Sequence, residues 1–325
     1  MIVNQVAISA HDRRRSLEWY RRTLGYLPAG EMVRHAPLPA GAPDVAALQG
    51  VPGADFAMSW AVDRREFFQL ELFQYRHPVP RALPADWRLC DVGYGLVCFH
   101  VADFDAALAR LAAAGTAALS APLGEPGERR VCVRDPDGVL LELLERDLAL
   151  PGAPPPARPQ VPVGARGLTV SVPDLGRARR LFVEILGMQP RPELALHGPE
   201  HEALWGLAGA RREALPLLSG DFLVELVEYA DPPGRPRPAG HSISDHGILN
   251  IALGTRSLED YEATRARVVA AGLQTDLEVR RSPRHACTYL LDEDGFSVEL
   301  LFVDAEIDRE LGFLPTAGRP PSPPR

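Results

Sequence analysis

The sequence has little of what marks a secreted, membrane or nucleic-acid-binding protein. Its N-terminus, MIVNQVAISAHD, lacks the basic segment and apolar core of a signal peptide. No apolar run approaches the roughly 20 residues that span a bilayer. The 35 basic and 43 acidic residues are mixed along the chain and give a formal net charge of -8. This balance argues against a nucleic-acid surface, which needs a clustered basic excess.

Cysteine is also scarce, and its spacing excludes two further classes of protein. The four cysteines show neither the spacing of a zinc knuckle nor the density of a disulfide-rich domain. Three of the four lie in or beside apolar, strand-like segments, where a free cysteine behaves as a small hydrophobe. We therefore expect a cytoplasmic protein, and the richness in Ala, Arg and Pro favours a bacterial gene. The cysteines are Cys90, Cys98, Cys132 and Cys287.

What the sequence does contain is an internal repeat. The segment LELFQY, which includes Glu71, corresponds to VELVEY, which includes Glu225. Each half closes with an acidic turn and a strand, DPDGVLLELLE at 135–145 and DEDGFSVELLF at 292–302. Since these landmarks recur in the same order, we infer that the chain arose by duplication. A further matching pair is ALQGVPGA at 47–54 and ALWGLAGA at 203–210.

The repeat predicts two domains, an expectation that suits a chain of 325 residues. An N-terminal domain would cover residues 1–150 and a C-terminal domain residues 165–305. The segment between them, 151–164, is rich in proline, which cannot continue a helix or a central strand and favours an extended, semi-rigid connector. The tail, 306–325, ends in a Pro-rich stretch that we expect to be disordered in part.

Each half is predicted to alternate strands with one helix per module. Helical spacing of apolar residues predicts a helix that ends near Leu24, and Asp12 is a plausible N-cap for it. The segments FFQLELF and FLVELVEY are short and rich in bulky apolar residues, which favours strands. A glutamate interrupts each of them. An ionised carboxylate at such a position is costly unless it is paired, metal-bound or open to a wet cavity.

Together these landmarks resemble the vicinal oxygen chelate superfamily of glyoxalases, bleomycin-resistance proteins, epimerases and extradiol dioxygenases. The resemblance covers residues 1–147 and 165–304. It implies an α+β fold of two tandem domains, each made of paired βαβββ modules whose strands curl into a cup. Members of this family usually place metal ligands on the first, fourth, fifth and eighth strands, with histidine on the first and fifth.

Carried onto this chain, those ligand positions keep glutamate but hold no histidine. Imidazole suits iron and zinc, whereas carboxylate and amide oxygens suit Mg, Mn or Ca. The resemblance therefore implies either no cofactor or a weakly held divalent metal such as Mg, Mn or Ca. The positions are Gln5, Glu71, Leu96 and Glu142 in the first unit, and Gly167, Glu225, Asn250 and Glu299 in the second.

Some fused members of the family exchange modules between their halves, and such an exchange would change the ligand sets. One cup would then gather an all-oxygen quartet that could hold a divalent metal: Gln5, Glu71, Asn250 and Glu299. The other cup would lack a full set of ligands: Gly167, Glu225, Leu96 and Glu142.

Several residues are candidates for catalysis or ligand binding. Glu225 and Glu299, or Glu71 and Glu142, would transfer protons, because paired carboxylates raise each other's pKa. Tyr289 could donate a proton to the cup, although simple packing of its ring is an alternative. His246 could act as a base, although it could equally be a loop residue. The residues predicted to contact a ligand are Glu71, Glu142, Tyr75, His100, Trp205 and Asn250.

Two classes of function remain open from the sequence. The first is an enzyme of isomerase, epimerase or lyase type that acts on a small aromatic or polyketide-like metabolite by carboxylate-based proton transfer. The second is a metal-free protein that binds or sequesters a small molecule, similar to bleomycin-resistance proteins. A ring-cleaving dioxygenase is less favoured, because positions 167 and 250 hold no histidine. The partner in every case is a small molecule, and both a monomer and a homodimer are compatible with the fused halves.

Overall fold

The computed structural model describes residues 1–35, 45–148, 150–273 and 280–316. Two mixed β-sheets dominate the described chain, with helices packed against them. None of the described helices combines the length and apolar character that crossing a membrane requires. The predicted disordered end of the tail, from 317 onward, lies outside the described residues.

The first half of the chain forms two modules. Each begins with a strand, continues with a helix and returns through further strands. Module 1 comprises β1 (Ile2–Ser9), α1 (Arg13–Leu24), β2 (Leu27–Arg34), a 3₁₀ turn (Val45–Gln49), β3 (Asp55–Val62) and β4 (Gln69–His77). Module 2 comprises β5 (Gly93–Val101), α2 (Phe104–Ala113), β6 (Arg130–Arg134) and β7 (Leu140–Leu144).

The second half repeats this plan. Helix α3 continues into a π-helical turn, Arg180–Ile185, and two 3₁₀ turns follow it, Pro192–Leu194 and Pro199–Trp205. Module 3 comprises β8 (Val163–Ser171), α3 (Leu175–Arg179), β9 (Gln189–Pro190), β10 (Arg211–Ser219) and β11 (Phe222–Asp231). Module 4 comprises β12 (Gly247–Thr255), α4 (Leu258–Ala270), β13 (Arg280–Ser282), β14 (His285–Leu291) and β15 (Ser297–Val303).

Each sheet takes one module from each half of the chain. The eight-stranded sheet has the order β13-β14-β15-β12-β1-β4-β3-β2, so it joins modules 1 and 4, and we call it the terminal cup. The seven-stranded sheet has the order β6-β7-β5-β8-β11-β10-β9, so it joins modules 2 and 3, and we call it the central cup. The antiparallel pairs β1–β12 and β5–β8 hold the modules together. The predicted domains 1–150 and 165–305 are therefore repeat units of the sequence that do not coincide with the two sheets.

The elements follow the sequence patterns closely. Both glutamate-containing segments are strands, β4 and β11, as predicted. Helix α1 begins after Asp12, whose side chain accepts hydrogen bonds from the backbone N–H groups of Arg14 and Arg15. It ends at Gly25, whose φ of 85° is the left-handed conformation that closes a helix.

Strand alternation separates the core from the cups. Val6, Leu70, Ile251 and Val298 point into the main hydrophobic core. Because successive side chains of a strand point to opposite faces, the residues next to them in sequence point into the terminal cup. The connector packs onto the fold as well: Arg158 is buried, and its Nε donates to the Asp63 carbonyl oxygen at 2.7 Å.

The exchange of modules predicts that the halves do not fold alone. Residues 1–155 or 156–325 expressed separately should lack the long central strand pairs and aggregate, because β1 and β5 in the first fragment, or β8 and β12 in the second, would be unpaired edges. Co-expressed, the two fragments should associate into one particle with the intact chain's circular dichroism and thermal transition. Two fragments that fold independently as stable monomers would contradict the topology.

Candidate functional site

Gln5, Glu71 and Glu299 meet on the floor of the terminal cup. The Gln5 amide nitrogen donates to Glu71 Oε2 and lies 3.4 Å from Glu299 Oε2. Each of the three side chains is almost fully buried. The three strands involved, β1, β4 and β15, come from both ends of the chain, so the cluster exists only because the modules are exchanged.

Aromatic and polar groups surround these carboxylates. The Trp60 indole Nε1 donates to Glu71 Oε1 at 2.7 Å, and Tyr289 on β14 lies across from Glu299 on β15. Gln49 links two tyrosines: its Nε2 donates to the Tyr289 hydroxyl at 3.2 Å, and its Oε1 accepts from the Tyr75 hydroxyl at 3.0 Å. The cluster opens into a cavity of about 380 Å³. Its apolar lining includes Met32, Phe56, Met58, Phe73, Leu301 and Phe313.

The two glutamates of the terminal cup are buried without a cationic partner among the described residues. Burial raises the pKa of Glu71 to about 7, and the indole hydrogen bond from Trp60 opposes this shift only in part. Burial and the neighbouring Glu71 carboxylate raise the pKa of Glu299 well above its ordinary range. The pair consequently retains a proton near neutral pH, because two like charges this close cannot both ionise readily.

The strand register places Asn250 away from this cluster. Gln5 lies across from Ala252 on β12, and Ala252 lies beside Glu299 on β15. Asn250 lies two residues before Ala252 on β12, opposite Ala7 on β1. Neither polar atom of its buried amide has a hydrogen-bond partner in the described chain. A shift of two residues preserves the face of a strand, so sequence alternation could not distinguish the two positions.

The terminal cup does not present the metal site that the family resemblance implies. The position across from Gln5 is an alanine, which offers no ligand atom. Three of the four predicted ligands do converge. Their present arrangement is a hydrogen-bonded cluster that neutralises itself with a proton.

A histidine occupies the floor of the central cup. His197 Nε2 lies 2.9 Å from Glu142 Oε2, and its Nδ1 lies 2.7 Å from Glu225 Oε2. Both ring nitrogens therefore face carboxylates, and both carry protons if the hydrogen bonds are to be made. The Cys98 Sγ donates to Glu142 Oε2 at 3.1 Å. All four side chains are buried, so the central cup is filled by its own residues.

Two arginines reinforce this internal ion pair. Arg130 Nη1 lies 3.4 Å from Glu142 Oε1, and Arg212 Nη1 lies 3.8 Å from Glu225 Oε1. Despite the opposing effect of burial, the two glutamates raise the pKa of His197 to about 9. Although burial opposes the change, the charge of His197 lowers the pKa of Glu142 to about 2 and lowers that of Glu225. The central cup thus holds an imidazolium between two carboxylates.

Sequence reasoning missed His197 because it lies on a loop. The residue stands between the two 3₁₀ turns of module 3 and reaches the cup from its open side, whereas the predicted ligands were sought on strands. Its backbone N–H donates to Glu225 Oε1 at 3.1 Å, which fixes the loop against the same carboxylate. The ligand positions on the strands hold no histidine, yet the central cup contains an imidazole that the sequence analysis did not predict. Leu96 is the predicted ligand position of β5, but the residue of β5 that faces the other positions is Cys98. It lies across from Gly167 on β8 and beside Glu142 on β7.

The central cup also contains a group of potential metal ligands. Ligand atoms of Cys98, Glu142 and His197 all lie within 4.8 Å of one another. A thiol, an imidazole and a carboxylate would suit zinc. His197 Nε2 is already engaged with Glu142, so a metal bound there would first have to displace the proton that lies between Nε2 and the Glu142 carboxylate.

Of the remaining predicted residues, some lie at the cups and others lie apart from both cup floors. Trp205 packs edge-on against His197 with ring centroids 5.0 Å apart, and Tyr75 stacks on Phe73 beside the terminal cup. His246 lies outside both floors, where its ring contacts His11. His100 lies further along β5, opposite Gly164, and burial lowers its pKa to about 4. Neither His246 nor His100 reaches a carboxylate of either cup.

Comparisons with known proteins agree with this architecture. The profile of the Glyoxalase/Bleomycin resistance protein/Dioxygenase superfamily matches residues 2–143 and 166–300. The chain belongs to this superfamily. No curated protein matches the sequence.

Two solved structures of other proteins share the fold. Glyoxalase I from Zea mays superimposes with a TM-score of 0.60 at 16% identity, and the match covers 96% of each chain. A putative dioxygenase from Bacillus subtilis gives a TM-score of 0.63 at 14% identity, covering 96% of this chain and 90% of that one. At such identities the likeness establishes the fold alone.

His197→Gln should destabilise the protein strongly. It leaves Glu142 and Glu225 buried without the cation between them, and breaking a buried ion pair in this way costs about 3–5 kcal/mol. Urea unfolding at pH 6 measures the loss. The exposed His35 provides the control, because His35→Gln should leave the unfolding midpoint unchanged. A triple change, Glu142→Gln, His197→Leu and Glu225→Gln, should recover much of the stability.

The ion pairs of His197 with Glu142 and Glu225 make the free energy of unfolding depend on pH in a predictable direction. The pKa of His197 is raised from 6.5 to about 9, so its contribution is complete below 6.5 and is lost as pH rises through 9. The pKa of Glu142 is lowered from 4.5 to about 2, so its contribution is complete above 4.5 and is lost as pH falls through 2. Unfolding free energies measured from pH 6 to 10 should fall more for the wild type than for His197→Gln. Parallel curves would refute the ion pair.

Proposed function

We propose that the terminal cup is the working site and that the protein catalyses proton transfer next to a carbonyl group of a small, largely apolar metabolite. The observation that carries this proposal is the pair Glu71 and Glu299, buried, joined through Gln5 and open to a cavity. Buried carboxylates without a cation are costly to keep. Perturbed pKa values of this kind are typical of acid–base sites.

The two carboxylates have different tasks in this proposal. Glu71 ionises first, because the Trp60 indole stabilises its charge, and its carboxylate would remove a proton from carbon. Glu299 keeps its proton and would donate a hydrogen bond to the oxygen on which negative charge develops. Tyr289 orients Glu299, and Gln5 holds the two carboxylates in position. The aromatic and apolar lining of the cavity favours a planar or aromatic substrate.

Two further observations favour isomerase, epimerase or lyase chemistry by carboxylates. The sequence contains no lysine, so no lysine Schiff base with the substrate can form. The donor set of the terminal cup does not match the family's histidine-containing metal site, so no step is assigned to a metal. The central cup serves in this proposal as a structural core.

The proposal is tested by hydrogen–deuterium exchange into carbonyl compounds. A panel of aryl ketones, hydroxyketones and 1,3-diketones is incubated with the protein in D₂O and followed by proton NMR. We expect exchange of the proton next to the carbonyl in at least one compound. Glu71→Gln and Glu299→Gln should each slow it by about 10²-fold or more, since general acid–base catalysis contributes 10²–10⁴-fold. The exposed Glu184→Gln serves as the matched control.

The pH dependence of the exchange should follow the two carboxylates. The rate should rise as pH increases through about 7, because only the ionised form of Glu71 can accept a proton. It should fall again at higher pH, where Glu299 loses the proton that it donates. Glu299→Gln should abolish the alkaline decline and keep the rise near 7. A rate independent of pH between 5 and 9 would contradict the assignment.

A binding protein is the second candidate, and the same cavity supports it. An apolar, aromatic-lined cavity of about 380 Å³ can hold a small molecule without transforming it. In that case panel compounds would bind, as seen by quenching of tryptophan fluorescence from Trp60, yet no deuterium would enter them. Glu71→Gln would then bind apolar compounds at least as tightly as the wild type, because it removes a charge from the cavity.

A further inference from the structure

A segment that follows the last strand covers the terminal cup. After β15, the 3₁₀ turn Ala305–Ile307 leads into residues 308–316, which we call the roof segment. The Thr316 backbone N–H and hydroxyl both donate to the Pro28 carbonyl oxygen on β2, at 2.9 and 3.0 Å. Since β15 and β2 lie on opposite sides of the cluster in the strand order, the roof segment crosses the cup. Three of its side chains line the same cavity as Glu71 and Glu299: Glu310, Leu311 and Phe313.

The Phe313 ring is held firmly in the roof segment. It is fully buried, and its centroid lies 4.7 Å from that of the Phe67 ring. Arg256 supports this stack, because its guanidinium carbon lies 3.7 Å from the centre of the Phe67 ring. The same guanidinium anchors the start of the roof segment: its Nη1 and Nη2 donate to the two Asp308 carboxylate oxygens at 2.5 and 2.7 Å. Such a bidentate pair fixes geometry, so Phe313 forms a rigid wall of the cavity.

The apolar side chains of the roof segment pack on the Glu299 side of the carboxylate pair. Phe313 and Leu311 belong to an apolar cluster that also includes Leu301 and Tyr289. Leu301 lies two residues after Glu299 on β15, so both side chains point to the same face of the sheet. The roof segment therefore rests directly on the face of the sheet that forms the cup.

The backbone of the roof segment packs on the Glu71 side. Gly312 has a φ of 75°, which lies in the left-handed region that glycine tolerates. A Cβ atom at this position would overlap the Trp60 indole, so the glycine allows the main chain to lie against that ring. The same indole donates to Glu71. The roof segment thus contacts neighbours of both carboxylates, and a ligand that reaches the carboxylates must fit beneath it.

We infer that the roof segment limits the size of the ligands that the terminal cup accepts, with Phe313 and Leu311 as the specificity-determining residues. A ketone whose carbonyl group lies at Glu71 and Glu299 has its remaining atoms between the cup floor and these two side chains. The extent of the ring system that fits is therefore decided by the roof segment. This inference rests on the proposed function, because it takes the terminal cup as the ligand site.

Acetophenone and the larger 2-acetonaphthone, which carries a second fused ring, test the inference by isothermal titration calorimetry. Phe313→Ala should raise the affinity for 2-acetonaphthone relative to acetophenone at least about tenfold over the wild type, because the lost ring makes room for the added one. Circular dichroism and the thermal transition verify that the variant is folded. Leu314→Ala is the matched control, because Leu314 is a half-buried residue of the roof segment that does not line the cavity. It should leave the affinity ratio unchanged.

Leu311→Trp makes the opposite change to the cavity. Leu311 is only partly buried, so the roof segment can accommodate a larger side chain there without disturbing the fully buried Phe313. The indole should fill part of the cavity and lower the relative affinity for 2-acetonaphthone about tenfold. This variant decides the question if Phe313→Ala fails to fold.

Several results would overturn the inference. An affinity ratio equal to that of the wild type in folded Phe313→Ala, or in Leu311→Trp, would show that the roof segment does not limit ligand size. An equal change of the ratio in Leu314→Ala would show a general loosening of the segment instead of a lost wall. A wild type that binds neither ketone would exclude aryl rings from the space beneath the roof segment.

The outcome is separable from that of the proposed function. A size preference that changes with Phe313 and Leu311, together with an absence of deuterium exchange, would retain the role of the roof segment and remove the catalytic proposal. Exchange that depends on Glu71, together with an unchanged affinity ratio in both variants, would retain the catalysis and remove the inference. Glu71→Gln should lose exchange and keep the affinity ratio of the wild type.

Discussion

The structure depends on one electrostatic constraint, which is that a carboxylate buried in a β-sheet must be neutralised. Each cup buries two glutamates at corresponding places, and the two cups meet the constraint differently. In the central cup, the His197 imidazolium lies between Glu142 and Glu225 and closes the space. In the terminal cup, Glu71 and Glu299 share Gln5 and a proton, and the space stays open. One solution is an internal ion pair, and the other is a protonated carboxylate pair that opens into a cavity.

Much of this could be predicted from the sequence, because strands and repeats leave periodic signals. The cup positions of Gln5, Glu71 and Glu299 follow from the alignment of the two halves. The exchange of modules is one of the two arrangements that the sequence allows, and the topology confirms it. The sequence could not predict the register in which the strands pair. Asn250 and Ala252 share a face of β12, and only the hydrogen bonds to β1, which shift around Gln5, decide which of them stands beside the cluster.

Loops account for the remaining differences, since their residues obey no period. His197 enters the central cup from an irregular segment between two 3₁₀ turns. It could not be distinguished in the sequence from an ordinary exposed side chain. His246, by contrast, stood out because Asn250 follows it on a strand, yet β12 begins only at Gly247 and the ring turns to His11. The chemical detail of the central cup therefore depends on a segment without regular structure, whereas Gln5, Glu71 and Glu299 of the terminal cup lie on strands.

The pairing of β1 with β12 and of β5 with β8 within one polypeptide has an evolutionary consequence. In a symmetric homodimer every substitution appears in both sites at once, so neither site can change alone. Here the two sites are encoded by different codons, and each can drift without altering the other. Selection could then convert one ancestral site into scaffold while the second explored new ligands, with the scaffold's added rigidity offsetting the destabilising changes that new chemistry requires.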